Sequence, residues 1–204
     1  MSLQAVLAGV DPRWHAAGAS ALDETLGRRA LDSRLGRRML AGALAQGPAA
    51  QLLAPAPQGH AALVARWRPA RLTALHRDLG VLAYAPAIRA EIRRDAVKRL
   101  KAALAGSYVL ALDRSIWDAR VDAALQTRLG SQLQAALAAD TASALFALFE
   151  LQGRAELQAW AGQREPALAD WAQLACAPAD LPSAHLPEKP LLVVHAHHQN
   201  RAVA

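Results

Sequence analysis

LTALHRDLGVLAYAPAIRAEIRRDAVKRLKAALAGSYVLAL, residues 72–112, carries the pattern that decides the fold. Leu72, Leu75, Leu79 and Leu82 recur at three- and four-residue intervals, the period of a helix with one apolar face rather than of a strand. Gly80 and Pro86 are expected to bend the run. Pro86 is its natural joint, because it lacks a backbone N–H and its ring drives Ala85 out of helical geometry. Beyond the joint the pattern predicts a strongly basic second helix. Ile88, Ile92, Ala96, Leu100 and Leu104 would cover its inner side, and Arg94, Lys98 and Lys101 would project from the other. Arg89 and Arg93 fall inside the apolar arc, where arginines run along the core edge or pair with a neighbouring carboxylate.

The rest of the 204-residue chain agrees with helices. The hydrophobic fraction is 53% but aromatic residues make up only 4%, so alanine supplies much of it. Alanine is the best helix former and buries little area, which favours helices packed closely through small side chains. The expected class is all-α, a single compact multi-helix domain over residues 1–176 with a proline-rich, flexible tail at 177–204. Cys176 is the single cysteine, which excludes an intrachain disulfide and a thiolate zinc site and fits a reducing compartment. The opening MSLQAVLAGVDPRW does not read as a secretory signal, and no apolar run reaches the ~20 residues needed to span a bilayer. The expectation is a soluble, cytoplasmic protein for which any membrane association would come through a partner or a surface charge.

Charge is unevenly placed. The net formal charge is +6, yet residues 1–101 hold 16 of the 23 Lys and Arg against 7 of the 17 acids, a balance of +9, and the remainder carries −3. A chain divided in this way could bind anionic partners with one surface and other partners with a second, or could simply be solvated on both. Glu91 and Asp95 precede Arg94, Lys98 and Arg99 by three or four residues and would neutralise part of the basic helix locally.

Residues 2–9 read as a short helix stopped at Asp11-Pro12, with Trp14 packed as a lid. From Ala21 to Gln46, Leu26-Gly27-Arg28-Arg29-Ala30-Leu31 nearly repeats as Leu35-Gly36-Arg37-Arg38-Met39-Leu40. The offset of nine residues would put the two arginine pairs on opposite faces of a continuous helix. A break at Asp32-Ser33, both good N-cap residues, would let both pairs face solvent. Such a repeat is either a basic clamp for phosphates or an acidic partner, or a set of exposed turns. Gly47-Pro48 and Ala54-Pro55-Ala56-Pro57-Gln58-Gly59 mark a long loop near 47–59, after which a helix restarts near His60 with Leu63, Val64 and Trp67. Ser115 and Asp118 form a capping-box spacing that predicts a helix with Trp117, Val121 and Leu125 ending at Gly130, and Ser131 would cap the next. Thr141 to Trp160 continues the helical pattern with an interruption at Gly153. Leu191–Val194 reads as a short extended piece within the tail.

No catalytic motif stands out. His76 lies near Asp78 but no nucleophile motif surrounds it, Cys176 lacks thiol-enzyme flanks, and Leu79-Gly80-Val81 is no phosphate loop. His195, His197 and His198 could hold a metal only loosely, with nothing to fix their geometry. The expectation is a non-enzymatic binding protein with no metal, cofactor or small-molecule substrate. A nucleic-acid-binding regulator and a generic helical scaffold or chaperone stand as alternatives, although no helix-turn-helix with base-reading side chains is visible and nucleic acid is not expected.

Leu75-x-x-x-Leu79-Gly80-Val81-Leu82, then Ala87-Ile88-Arg89, then Leu110 leading to Trp117, resembles the SctK family of bacterial type III secretion systems, also called Yop translocation protein K. The likeness covers about residues 60–160, and the arginine repeat of the N-terminal quarter departs from it. The resemblance implies a compact helical fold and a non-catalytic adaptor of the sorting platform. Such an adaptor would link a SctQ-like pod protein, with its SctL and ATPase SctN partners, to the cytoplasmic domain of a SctD-like ring protein. On that expectation Arg89, Arg93, Arg94, Lys98 and Lys101 would meet an acidic protein surface, with apolar residues at its centre supplying affinity.

Overall fold

The computed structural model describes residues 3–16, 24–54, 67–139 and 141–200, and among them the architecture is all-α, without strands. In chain order the helices are α1 (Leu3–Ala8), α2 (Arg13–Ala16), α3 (Glu24–Asp32), α4 (Arg34–Ala45), α5 (Pro69–Ala83), α6 (Ala85–Ala90), α7 (Arg94–Leu104), α8 (Tyr108–Leu112), α9 (Ala123–Ala138), α10 (Ala142–Arg164), α11 (Pro166–Leu174) and α12 (Glu188–Asn200). These residues fall into two compact units. One is drawn from the chain up to Leu72 and from Gln158–Asp180, the other from Thr73–Leu157 and from Leu181 onward.

In the first unit, Val6, Leu7, Leu40, Leu44, Leu52, Trp67, Leu168, Trp171 and Leu174 are buried. Trp171 ties distant segments: its Nε1 donates to Trp67 O at 2.5 Å, and its ring lies where a side chain on Gly9 would have to go. The backbone N–H of Asp11 donates to Leu174 O at 2.8 Å, and Trp14 Nε1 donates to Cys176 O at 2.8 Å. The carboxylate of Asp170 accepts from Gln51 N and Leu52 N, so the start of the 47–59 loop is fastened to α11. Residues 55–66, where a helix was expected from His60, lie outside the described residues, as does the first part of the 21–46 reading. The break at Asp32-Ser33 is present: Ser33 is the N-cap of α4, its hydroxyl accepting from Gly36 N at 2.8 Å.

The second unit is built on the crossing of α5 and α10. Gly80 and Gly153 do not bend or interrupt these helices, as the sequence pattern implied. They let them touch. A Cβ on Gly80 would collide with the carbonyl of Phe149, and one on Gly153 with the carbonyl of His76. Each glycine thus sits against a carbonyl four residues before the other glycine, which is how two backbones approach without side chains between them. Tyr84 lies edge-on to Phe149, ring centroids 5.5 Å apart. The joint falls at Tyr84 and not at Pro86, and Ala85 is helical rather than driven out of helical geometry: Pro86 is a first-turn residue of α6, where its missing N–H costs nothing. α6 packs on α8 and α9.

Three further expectations are corrected here. The Ser115–Asp118 spacing does not start a helix: Asp113 accepts from Ser115 N and Oγ, and α9 starts instead at Asp122, whose carboxylate caps Leu125 N at 2.8 Å. α9 then runs through Gly130 and Ser131 without a break. The C-terminal segment is neither extended at Leu191–Val194 nor a tail. It is helix α12, with Pro190, Leu191, Val194, His195 and His198 buried.

Candidate partner-binding surface

The basic surface predicted from the sequence begins at the junction between α6 and α7. α6 ends at Ala90, and residues 91–93 are not helical. Glu91 turns back at this junction. Its carboxylate accepts from Arg93 N at 2.8 Å, Arg93 Nε at 3.1 Å and Nη2 at 2.8 Å, and from Gln134 Nε2 of α9 at 2.7 Å. Burial works against its charge, but these donors win and bring its pKa down to about 2. The interruption shifts everything beyond it out of the register of α6. Ile88 stays in the core, whereas Ile92, expected on the same inner face, is 91% exposed.

Along α7 the predicted division holds. Ala96, Leu100 and Leu104 are buried, and Arg94, Lys98 and Lys101 are exposed. Lys101 Nζ lies 5.7 Å from the centre of the Tyr108 ring. Asp95 in the first turn complements the positive end of the helix. Between α7 and α9 runs a groove of about 440 Å³, its walls made by Arg93, Arg94, Asp95, Arg99 and Gln134 and its apolar lining by Ala96, Leu137 and Ala138. Arg99 also borders a second hollow of about 260 Å³ with Ala102, Ala103, Thr141 and Leu145.

Arg89 does something else. Its guanidinium donates to four backbone carbonyls: Ala111 at 2.6 Å, Asp118 at 2.8 Å, Trp117 at 2.9 Å and Asp113 at 3.3 Å. Burial, helped by nearby Arg114, lowers its pKa, and Asp118 and Asp113 act in the opposite direction. This fork gathers the loop from α8 to α9, which has little regular hydrogen bonding of its own. Of the five residues assigned to a partner surface, Arg94, Lys98 and Lys101 face outward together. Arg93 shares the groove while paired to Glu91, and Arg89 is turned inward as framework.

Sequence reasoning missed the polar interior of this unit. Glu156 is buried, and its carboxylate accepts from Gln152 Nε2 at 2.7 Å, His185 N at 3.0 Å and Leu186 N at 2.9 Å. That set fastens the segment before α12, and the donors from that segment are backbone groups that no residue pattern announces. Asp78 accepts from Ser107 Oγ at 2.5 Å and pairs with His198 Nε2 at 2.8 Å. The carboxylate stands between hydroxyl and imidazole, so the three do not form a nucleophile with its base. His76 is 1% exposed at the α5–α10 crossing, and burial, with Arg154 nearby, lowers its pKa to about 3. Among the described residues no group of His, Cys, Asp and Glu converges as a metal site, and no helix is long and apolar enough to cross a membrane.

No family model, curated protein or solved structure matches the chain.

Proposed function

We propose that this chain is a non-catalytic helical adaptor whose α7–α9 groove receives an acidic, partly apolar segment of a partner protein. The observation that carries this reading is the groove's composition. Arg93, Arg94 and Arg99 outnumber the one acid, Asp95, around an apolar lining, Arg93 being paired to Glu91, and Ile92 stands 91% exposed next to Arg93 in the chain. Arginine forks match carboxylates in pairs, and apolar surface at the centre supplies affinity that rim charges do not. The finer reading rests on the resemblance to the SctK family. The chain would serve a type III secretion sorting platform, joining a SctQ-like pod protein to a SctD-like ring protein in the cytoplasm beside the inner membrane. The residues that carry the likeness support it: Leu75, Leu79 and Ile88 lie in the core, Gly80 at the helix crossing, and Arg89 donates to Trp117 O.

The test is capture of partners by the tagged full chain after nuclease treatment, compared with Arg94→Glu/Lys98→Glu and with Ile92→Ser. All three positions are exposed, so the variants should fold as the parent does. The expected result is recovery of pod and ring components by the parent, with at least tenfold less retained by either variant. Equal retention by both variants would show the groove to be a solvated face. Recovery of nucleic acid alone, lost steeply as salt rises, would replace the adaptor with a nucleic-acid binder.

A further inference from the structure

A second amphipathic surface, independent of the α7 groove, lies on α3 and α4 in the first unit. These two helices pack on each other and on α1. α4 buries Leu40 and Leu44 on one side. At about 100° per residue, Leu35 and Met39 point roughly 140° away from that buried side and only ~40° from one another. They are 69% and 67% exposed, and Leu26 on α3 is 49% exposed. Arg34 and Arg38 form an exposed stripe beside Leu35 and Met39, and Arg28 and Arg29 are exposed on α3. Residues 24–45 contain five arginines against Glu24 and Asp32, a balance of +3. Arg37 is the arginine that turns back, donating to Leu31 O at 2.8 Å.

We infer that the exposed face of α4 is a docking surface for an anionic phospholipid bilayer, with Leu35 and Met39 entering the interface and Arg34 and Arg38 meeting lipid phosphates. Large apolar side chains standing out of a helix, with arginines alongside, are the composition of a helix lying in a membrane interface. A fluid surface accepts protruding side chains at any spacing, whereas a protein partner must carry matching hollows. The guanidinium fork bonds phosphate oxygens in pairs. The contact adds a direct membrane attachment to any made through a partner, and it does not depend on the function proposed for α7.

The experiment is co-sedimentation of the full chain with vesicles of phosphatidylglycerol and phosphatidylcholine, and with phosphatidylcholine alone, at about 0.1 M salt, where screening acts over ~10 Å. Each basic side chain near an anionic leaflet strengthens binding roughly fivefold. Binding to the mixed vesicles should therefore fall at least tenfold in Arg34→Ser/Arg38→Ser. It should fall comparably in Leu35→Ser/Met39→Ser, and stay within twofold of the parent in Arg94→Glu/Lys98→Glu. Absence of binding to anionic vesicles overturns the inference, as does equal binding to neutral ones. Unchanged binding by Leu35→Ser/Met39→Ser would reduce the effect to unspecific adhesion of a cationic protein. Loss through the α7 variant would move the contact elsewhere. Capture of an acidic protein that Leu35→Ser/Met39→Ser releases, without vesicle binding, would assign the face to a protein.

Discussion

Replacing Gly80 by alanine sets two physical effects of opposite sign against each other. Gly80 lies inside α5, and by helix propensity alone the change should stabilise by about 1 kcal/mol, since glycine is the costlier residue in a helix interior. The new Cβ, however, would overlap the carbonyl group of Phe149. A flexible side chain could swing away, but a backbone carbonyl in the middle of α10 cannot. The helices must separate, and overpacking of this kind costs ~1–3 kcal/mol, with the rigid obstacle placing it at the upper end. The net expectation is a loss of about 2 kcal/mol, or roughly 4–8 °C in Tm for a chain of this length. Gly130→Ala is the matched control, because nothing lies within 4 Å of a Cβ there and the residue is also inside a helix, α9. It should gain up to ~1 kcal/mol. Urea denaturation followed by far-ultraviolet circular dichroism would measure both. If Gly80→Ala proves as stabilising as Gly130→Ala, the backbone contact between α5 and α10 does not exist and the core of the second unit has been misassigned.

Acid should loosen the same crossing. His76 has a folded-state pKa of about 3 against an ordinary value of 6.5. Between those values the unfolded chain binds the proton and the native one does not, so its contribution is intact above pH 6.5 and is lost as pH falls toward 3. At pH 5 the loss is about 2 kcal/mol. His76→Leu should remove about 2 kcal/mol of this loss between pH 7 and 5 in urea titrations, leaving the part that comes from His195 and His15, whose pKa values burial also lowers. An unchanged slope would sink the assignment. Arg89→Lys keeps the charge but not the fork that holds four carbonyls. It should cost about 2–3 kcal/mol of stability, given ~1.5–3 kcal/mol for a charged hydrogen bond and strong overlap among bonds to one group. Partner capture by the folded Arg89→Lys protein should match the parent, and a specific loss of binding at unchanged stability would return Arg89 to the partner surface.

What the sequence showed and what it hid differ by the range of the interaction. Apolar spacing located α5, α7 and α10 because each buries a continuous stripe, and that information is local. Ser33 was legible as a cap for the same reason. Glycines were misread because their local preference is to break a helix, whereas here Gly80 and Gly153 are selected by a neighbour about 70 residues away. Asp122, not Ser115, caps α9, since Asp113 takes the Ser115 N–H and hydroxyl first. The C-terminal segment looked like a tail because Pro178, Pro182, Pro187 and Pro190 recur through it. Its anchors are Glu156 and Asp78 on other helices, and neither pairing leaves a trace in spacing.

The candidate surface follows the same division. Exposed Arg94, Lys98 and Lys101 were visible from helical phase. The role of Arg89 was not, because a guanidinium facing four carbonyls leaves no mark in charge patterning. Ile92 was placed inside by extending the phase of α6 across Glu91, and it lies outside because Glu91 bonds Arg93 N and Gln134 rather than continuing the helix. Leaving an isoleucine in water forgoes about 1.5–3 kcal/mol of burial. A continuous helix through Ile92 would have recovered it. The Glu91 contacts hold the break in place, and the outcome is an apolar side chain left in water one residue before Arg93 of the groove; on the proposed function, the folding free energy given up there is recovered when an acidic, apolar segment covers it.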